Sequence, residues 1–129
     1  MIESEFWAEL RPELIKVAPG IHLTRIENAA SSGVSDVTLA FKGREVWLEL
    51  KMLRNGRMKF QPSQRQWIPK RVAAGANVKL LAREDDVHQS IYVFDAKILN
   101  ATGDVRPHAI HRERLFHSWK KLLVVLLDG

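Results

Sequence analysis

Apolar side chains recur along the chain with two different periods, and the changes of period divide it into elements. Phe6, Leu10, Leu14 and Val17 stand four and three apart behind Ser4, which predicts a helix over residues 4–17 with Ser4 as its cap. Pro12 within it predicts a bend or a split in two, because proline has no N–H for the helical ladder. After Pro19-Gly20, residues 21–26 read as a short strand and residues 28–33 as a loop. Alternation of period two then takes over. Residues 36–41, a Lys42-Gly43-Arg44 turn and residues 45–51 predict a β-hairpin, and Gly56 marks a basic loop behind it.

Pro62 suits the first position of a helix that ends at Gly75, with a kink at Pro69. Residues 78–82 and 90–94 are apolar, β-favouring and of the length of core strands, Asp85-Asp86 suits the turn between them, and 95–99 fits either class. Leu115, Trp119, Leu122, Leu123 and Leu126 share one stripe of a helix over residues 112–127. The succession predicts an α/β fold: a mixed central sheet flanked by the first two helices, with an extra C-terminal helix.

Composition narrows the classes. With 129 residues, 46% apolar and 27% charged, the chain fits one folded domain over 1–129 and no disordered tail. Its net charge of +5 suits a polyanionic partner. There is no cysteine, so thiolate chemistry, disulfides and zinc ribbons are excluded, and any metal must sit on oxygen or imidazole. No apolar run reaches the ~20 residues of a membrane span, and Met1–Glu5 lacks a basic start, so the expected setting is the cytosol, bacterial or phage-infected, with no membrane partner.

The chemistry concentrates in residues 33–51. Strand alternation puts Val46, Leu48 and Leu50 on one face and Trp47, Glu49 and Lys51 on the other. A turn at 42–44 returns Asp36 beside Glu49 and Lys51. Two neighbouring carboxylates repel unless a proton or a cation separates them, and for oxygen ligands that cation is Mg²⁺ or Mn²⁺. An ordinary alternative stands beside this: Asp36 caps a turn and Glu49–Lys51 is a surface pair.

Ser35-Asp36 with Glu49-Leu50-Lys51 resembles the paired motif of the PD-(D/E)XK nuclease superfamily. Gly33–Asp36, Trp47–Lys51, Gln61–Trp67 and Gly75 ahead of Val78 are together similar to the VRR-NUC branch of small phage and bacterial nucleases, over about residues 4–95. Ser35 stands where the family has proline, one position before the carboxylate that matters. The resemblance implies a restriction-endonuclease-like core. It makes Asp36 and Glu49 metal ligands together with the Leu50 carbonyl, Lys51 the catalytic lysine, and Gln64 a helix glutamine that orients phosphate or Lys51; a helix cap is the plainer role for Gln64. A glutamate from the N-terminal helix often completes such sites; Glu5 is the first candidate, Glu27 the second and Glu9 the third.

Around this core Arg54, Arg57 and Lys59 in the loop, and Arg65, Lys70 and Arg71 on the second helix, suit a DNA track. Trp47 suits packing under the N-terminal helix or stacking near DNA, and Trp67 and Trp119 suit core or interface. His108 and His111 stand three apart but lack a third ligand. The expected function is a Mg²⁺- or Mn²⁺-dependent DNA endonuclease, selective for four-way junctions or flaps. It is expected to work as a homodimer, with Leu115, Trp119, Leu122 and Leu126 as interface candidates unless they close the monomer's core. A sequence-specific homing or restriction enzyme is the alternative, with residues 84–90 and 103–111 as the only room for base reading. A non-catalytic DNA-binding module is the alternative of another class.

Overall fold

The computed structural model describes residues 3–26, 36–85, 90–99, 113–115 and 118–128. Helix α1 (Glu3–Val17) leads into β1 (His22–Arg25), the hairpin β2 (Val37–Phe41) and β3 (Arg44–Leu53), and helix α2 (Pro62–Ala73). Strands β4 (Val78–Glu84), β5 (Ile91–Asp95) and β6 (Glu113–Leu115) and helix α3 (Trp119–Leu127) follow. The six strands form one mixed sheet in chain order. Among the described strands only β3 and β4 run parallel, with α2 as the crossover between them; every other neighbouring pair of them is antiparallel.

Local chemistry explains the turns. Lys42 and Gly43 both take positive φ, at 49° and 79°, and so do Asn55 and Gly56, at 52° and 72°. Two successive left-handed residues make the tight hairpin turn whose twist matches the strands it joins. Arg54 and Arg57 accordingly close a two-residue loop through paired backbone hydrogen bonds of 3.0 and 2.9 Å.

The sheet separates two apolar layers. On one face Val37, Leu39, Val46, Leu48 and Leu50 meet Phe6, Leu10 and Leu14 of α1 and Leu122, Leu123 and Leu126 of α3. On the other, Leu53, Val78, Leu80, Tyr92 and Phe94 meet Ile68 of α2, together with Met58 and Phe60. A side chain on β3 therefore enters one layer or the other according to its parity. Arg83 of β4, 8% exposed, fastens α1 to the sheet, its Nη2 donating to both Glu9 oxygens at 2.6 and 2.7 Å.

Several expectations are corrected. Pro12 does not split α1, which runs unbroken from Glu3, so Ser4 lies inside it rather than capping it. The C-terminal helix begins at Trp119, capped by Ser118 whose hydroxyl accepts the Lys121 N–H at 3.3 Å, while 113–115 are a strand paired with β5. Residues 96–98 are a 3-10 turn, capped by Asp95. Leu122 and Leu126 are buried in the chain's own core, so they are not free to form an interface.

Candidate active site

β3 outruns its partner. The β2–β3 ladder ends at Val37 opposite Leu48, which leaves the Leu50 N–H without a β2 carbonyl. Asp36, the residue before β2, supplies the acceptor: its Oδ2 takes the Leu50 N–H at 3.0 Å. This bond turns the Asp36 carboxylate toward β3 and Glu49, whose side chain is 1% exposed.

Glu49, Lys51 and Gln64 are joined in a closed arrangement. Gln64 donates through Nε2 to Glu49 Oε1 at 2.7 Å and accepts the Lys51 ammonium on Oε1 at 2.9 Å. Lys51 Nζ lies 3.6 Å from Glu49 Oε1. The same Gln64 Oε1 accepts the Gln61 N–H at 2.9 Å and so caps the start of α2. Gln64 thus contacts Lys51 and Glu49 and caps α2 at once, because the first turn of α2 sits over the carboxylate face of β3.

Electrostatics set this site apart from a surface ion pair. Burial raises the Asp36 carboxyl above its ordinary range, against the lowering effects of the Leu50 N–H and the Lys51 charge. Glu49 is raised well above its ordinary value, first by burial and then by the neighbouring Asp36 charge. Ionised, Glu49 has a buried oxygen, Oε2, with no hydrogen-bond partner. A buried anionic oxygen without a donor calls for a proton or a cation.

Lys51 also forms part of the wall of a cleft of about 620 Å³, lined in addition by Glu3, Met52, Arg54, Asn55, Arg57 and Lys59. Arg57 and Lys59 are exposed there, and Arg54 pairs through Nε with Asp85 Oδ2 at 2.9 Å. That contact holds the Asp85 carboxyl below its ordinary range. The structure thus gathers Arg54, Arg57 and Lys59 around Lys51. Arg65 follows Gln64 on α2, and Arg71 near the far end of that helix stacks 4.7 Å above Trp47 and 5.6 Å from Trp67.

Trp47 shares the face of Glu49 but packs edge-on to Trp67 of α2, at 5.6 Å between centroids, and not under α1. Glu5 is exposed on α1, and among the described residues no group of three His, Asp or Glu side chains is placed to hold a metal. Glu9 is bound by Arg83. Glu27, Ser35, Asp86, His108 and His111 lie outside the described residues. Glu3 at the cleft and Phe60 against Lys51 escape sequence reasoning: the rotation of α1 and the path of the 57–61 segment have no local signature. Arg25, whose charge acts on Asp36 from β1, was equally silent.

No family model and no curated protein matches the chain. Among solved structures it is similar to Hjc, a Holliday junction resolvase from the archaeal hyperthermophile Archaeoglobus fulgidus, with a TM-score of 0.59 and 16% identity. The match covers 81% of this chain and 86% of that one. At this identity the likeness is one of fold, an α/β arrangement of the resolvase and restriction-endonuclease-like type.

Proposed function

We propose that the chain is a divalent-metal-dependent DNA endonuclease that hydrolyses phosphodiester bonds in branched DNA. The observation that carries the reading is the buried Asp36–Glu49 pair, with Glu49 Oε2 lacking a donor and Lys51 held 3.6 Å from the same carboxylate. A structural ion pair has no use for the second acid.

The donor set fits a hard cation: Asp36, Glu49 and the Leu50 carbonyl would hold Mg²⁺ or Mn²⁺. Such an ion, when bound, polarises a phosphodiester oxygen and lowers the pKa of water. Lys51 places a fixed positive charge in the cleft wall, where it stabilises the charge developing on the phosphate oxygens. Gln64 holds that ammonium through Oε1 and Glu49 through Nε2, so neither has to be ordered when substrate arrives. Arg54, Arg57 and Lys59 bind the flanking phosphates, with Arg65 and Arg71 continuing the track along α2. Of the α1 carboxylates, Glu3 lines the cleft beside Lys51, where Glu5 and Glu9 do not.

The motif resemblance to VRR-NUC-type nucleases and the fold likeness to a junction resolvase both support structure-selective cutting. So does a basic cleft suited to phosphates; residues 86–89 and 103–111, where the sequence-specific alternative has its room for base reading, lie outside the described residues. Cutting both strands of a junction takes two sites, and the proposal therefore includes a homodimer. Labelled four-way junction, flap, linear duplex and single-stranded DNA, incubated with the protein and Mg²⁺, test the reading. Cleavage of the branched substrates ahead of the linear ones is expected; cleavage of one duplex sequence alone would move the protein to the restriction class.

A further inference from the structure

We propose that Phe60 is a positioning residue for Lys51, its ring face forming the seat on which the ammonium is held toward the scissile phosphate. The inference rests on the nuclease reading, since it concerns what Lys51 does there. Lys51 Nζ stands 4.6 Å from the centroid of the Phe60 ring. Both residues are nearly out of solvent, at 7% and 5% exposure. An ammonium taken from water needs replacements for its hydration, and three are present: Gln64 Oε1 at 2.9 Å, Glu49 Oε1 at 3.6 Å and the ring.

These partners differ in how they behave during a reaction. Glu49 is attracted to Lys51 and repelled by Asp36, and would share its carboxylate with a bound cation. Gln64 Oε1 is shared with the Gln61 N–H. The ring face neither ionises nor ligates, so its attraction for the cation is the same before and after metal and DNA arrive. Phe60 is itself fixed by Leu53, Met58 and Ile68 in the α2-side core. It stands one residue before Gln61, so residues 60–64 deliver both the ring and the glutamine to Lys51. Packing of that segment is thereby converted into the placement of one charge.

Desolvated cation–π contacts are worth about 2 kcal/mol, which in a rate corresponds to about thirtyfold. The test places phenylalanine carrying one, two or three ring fluorines at position 60 of the full chain. Each fluorine weakens the negative ring face while the shape is nearly kept. With Mg²⁺ and a four-way junction, kcat is expected to fall stepwise, by up to about thirtyfold, at constant KM, because a weaker ring face leaves the ammonium in its seat for a smaller share of the time. Phe60→Tyr keeps the rate, and Phe60→Leu loses it. A flat kcat across the fluorine series overturns the proposal.

A second readout needs no cleavage. The ε-methylene protons of Lys51 should resonate upfield in wild-type protein, shielded by the ring, and return to ordinary positions in Phe60→Leu. A protein that cuts DNA but shows no such shift refutes the seat and leaves the nuclease reading standing. A protein with the shift that cuts nothing refutes the nuclease reading, and the positioning role falls with it.

Discussion

Replacing Glu49 by Gln should make the metal-free protein more stable at neutral pH while destroying its site. The amide keeps the shape of the side chain and the acceptor that Gln64 Nε2 uses at 2.7 Å. In place of the buried, partnerless Oε2 it puts an N–H donor facing Asp36. Glu49 has its folded pKa raised, by burial first and by Asp36 second, so above the ordinary value of 4.5 the folded protein binds more protons than the unfolded chain. Wild-type stability therefore falls as pH rises through that window, and the variant lacks this loss. Leaving a buried polar group unsatisfied costs about 1–3 kcal/mol, more when it is charged. At roughly 3–6 °C per kcal/mol for a domain of this size, the variant should melt on the order of 5–15 °C above wild type at pH 8. Near pH 4.5 the two should nearly coincide. Thermal and urea denaturation in EDTA, with wild type and variant compared at each pH, separate the Glu49–Asp36 pair from Asp85. A Glu49→Gln protein less stable than wild type at pH 8, or a gap that narrows as pH rises, would refute the reasoning.

Two other outcomes follow from the same structure. Replacing Arg54, Arg57 and Lys59 together by Ala should weaken junction, flap and duplex by similar factors and lower the slope of log K against log salt by up to about 2.7, as measured by fluorescence anisotropy. Leu126→Ala should cost about 2–5 kcal/mol in urea denaturation with no change of oligomeric state by light scattering, since Leu126 is fully buried between α3, α1 and the sheet; a dissociated but equally stable protein would place that side chain in an interface instead.

What was legible in the sequence follows the range of the forces involved. Alternation in residues 45–51 is a local property of a strand, and with a turn at 42–44 it implies that Asp36 returns beside Glu49 and Lys51; the structure makes the turn from Lys42 and Gly43 alone, with Arg44 already paired to Phe41 in the strand. Which helix covers which face is not local. Trp47 went to α2 because the β3–α2–β4 crossover lays α2 on the face of Glu49, and α1 took the Leu48 face. The helical stripe through Leu115 failed for a related reason: β5 offers an open edge, and pairing of residues 113–115 with it outweighs a continued helical period. Pro12 sits inside an unbroken α1 because burial of Phe6, Leu10 and Leu14 on one core holds both of its halves in line. The carboxylate at the cleft is Glu3 rather than Glu5 or Glu9 through the rotation of α1, which packing and the Arg83–Glu9 contact determine.

Single-turnover cleavage of a labelled four-way junction by wild type and by Asp36→Asn, each with Mg²⁺ and with EDTA, tests the central claim most directly. Wild-type protein should cut in Mg²⁺ and stop in EDTA. Asp36→Asn should bind the junction and leave it intact, because the carboxylate that faces Glu49 has lost its charge. Undiminished cutting in EDTA, or an Asp36→Asn protein that cuts at the wild-type rate, would contradict the assignment of Asp36 and Glu49 as the metal-holding pair.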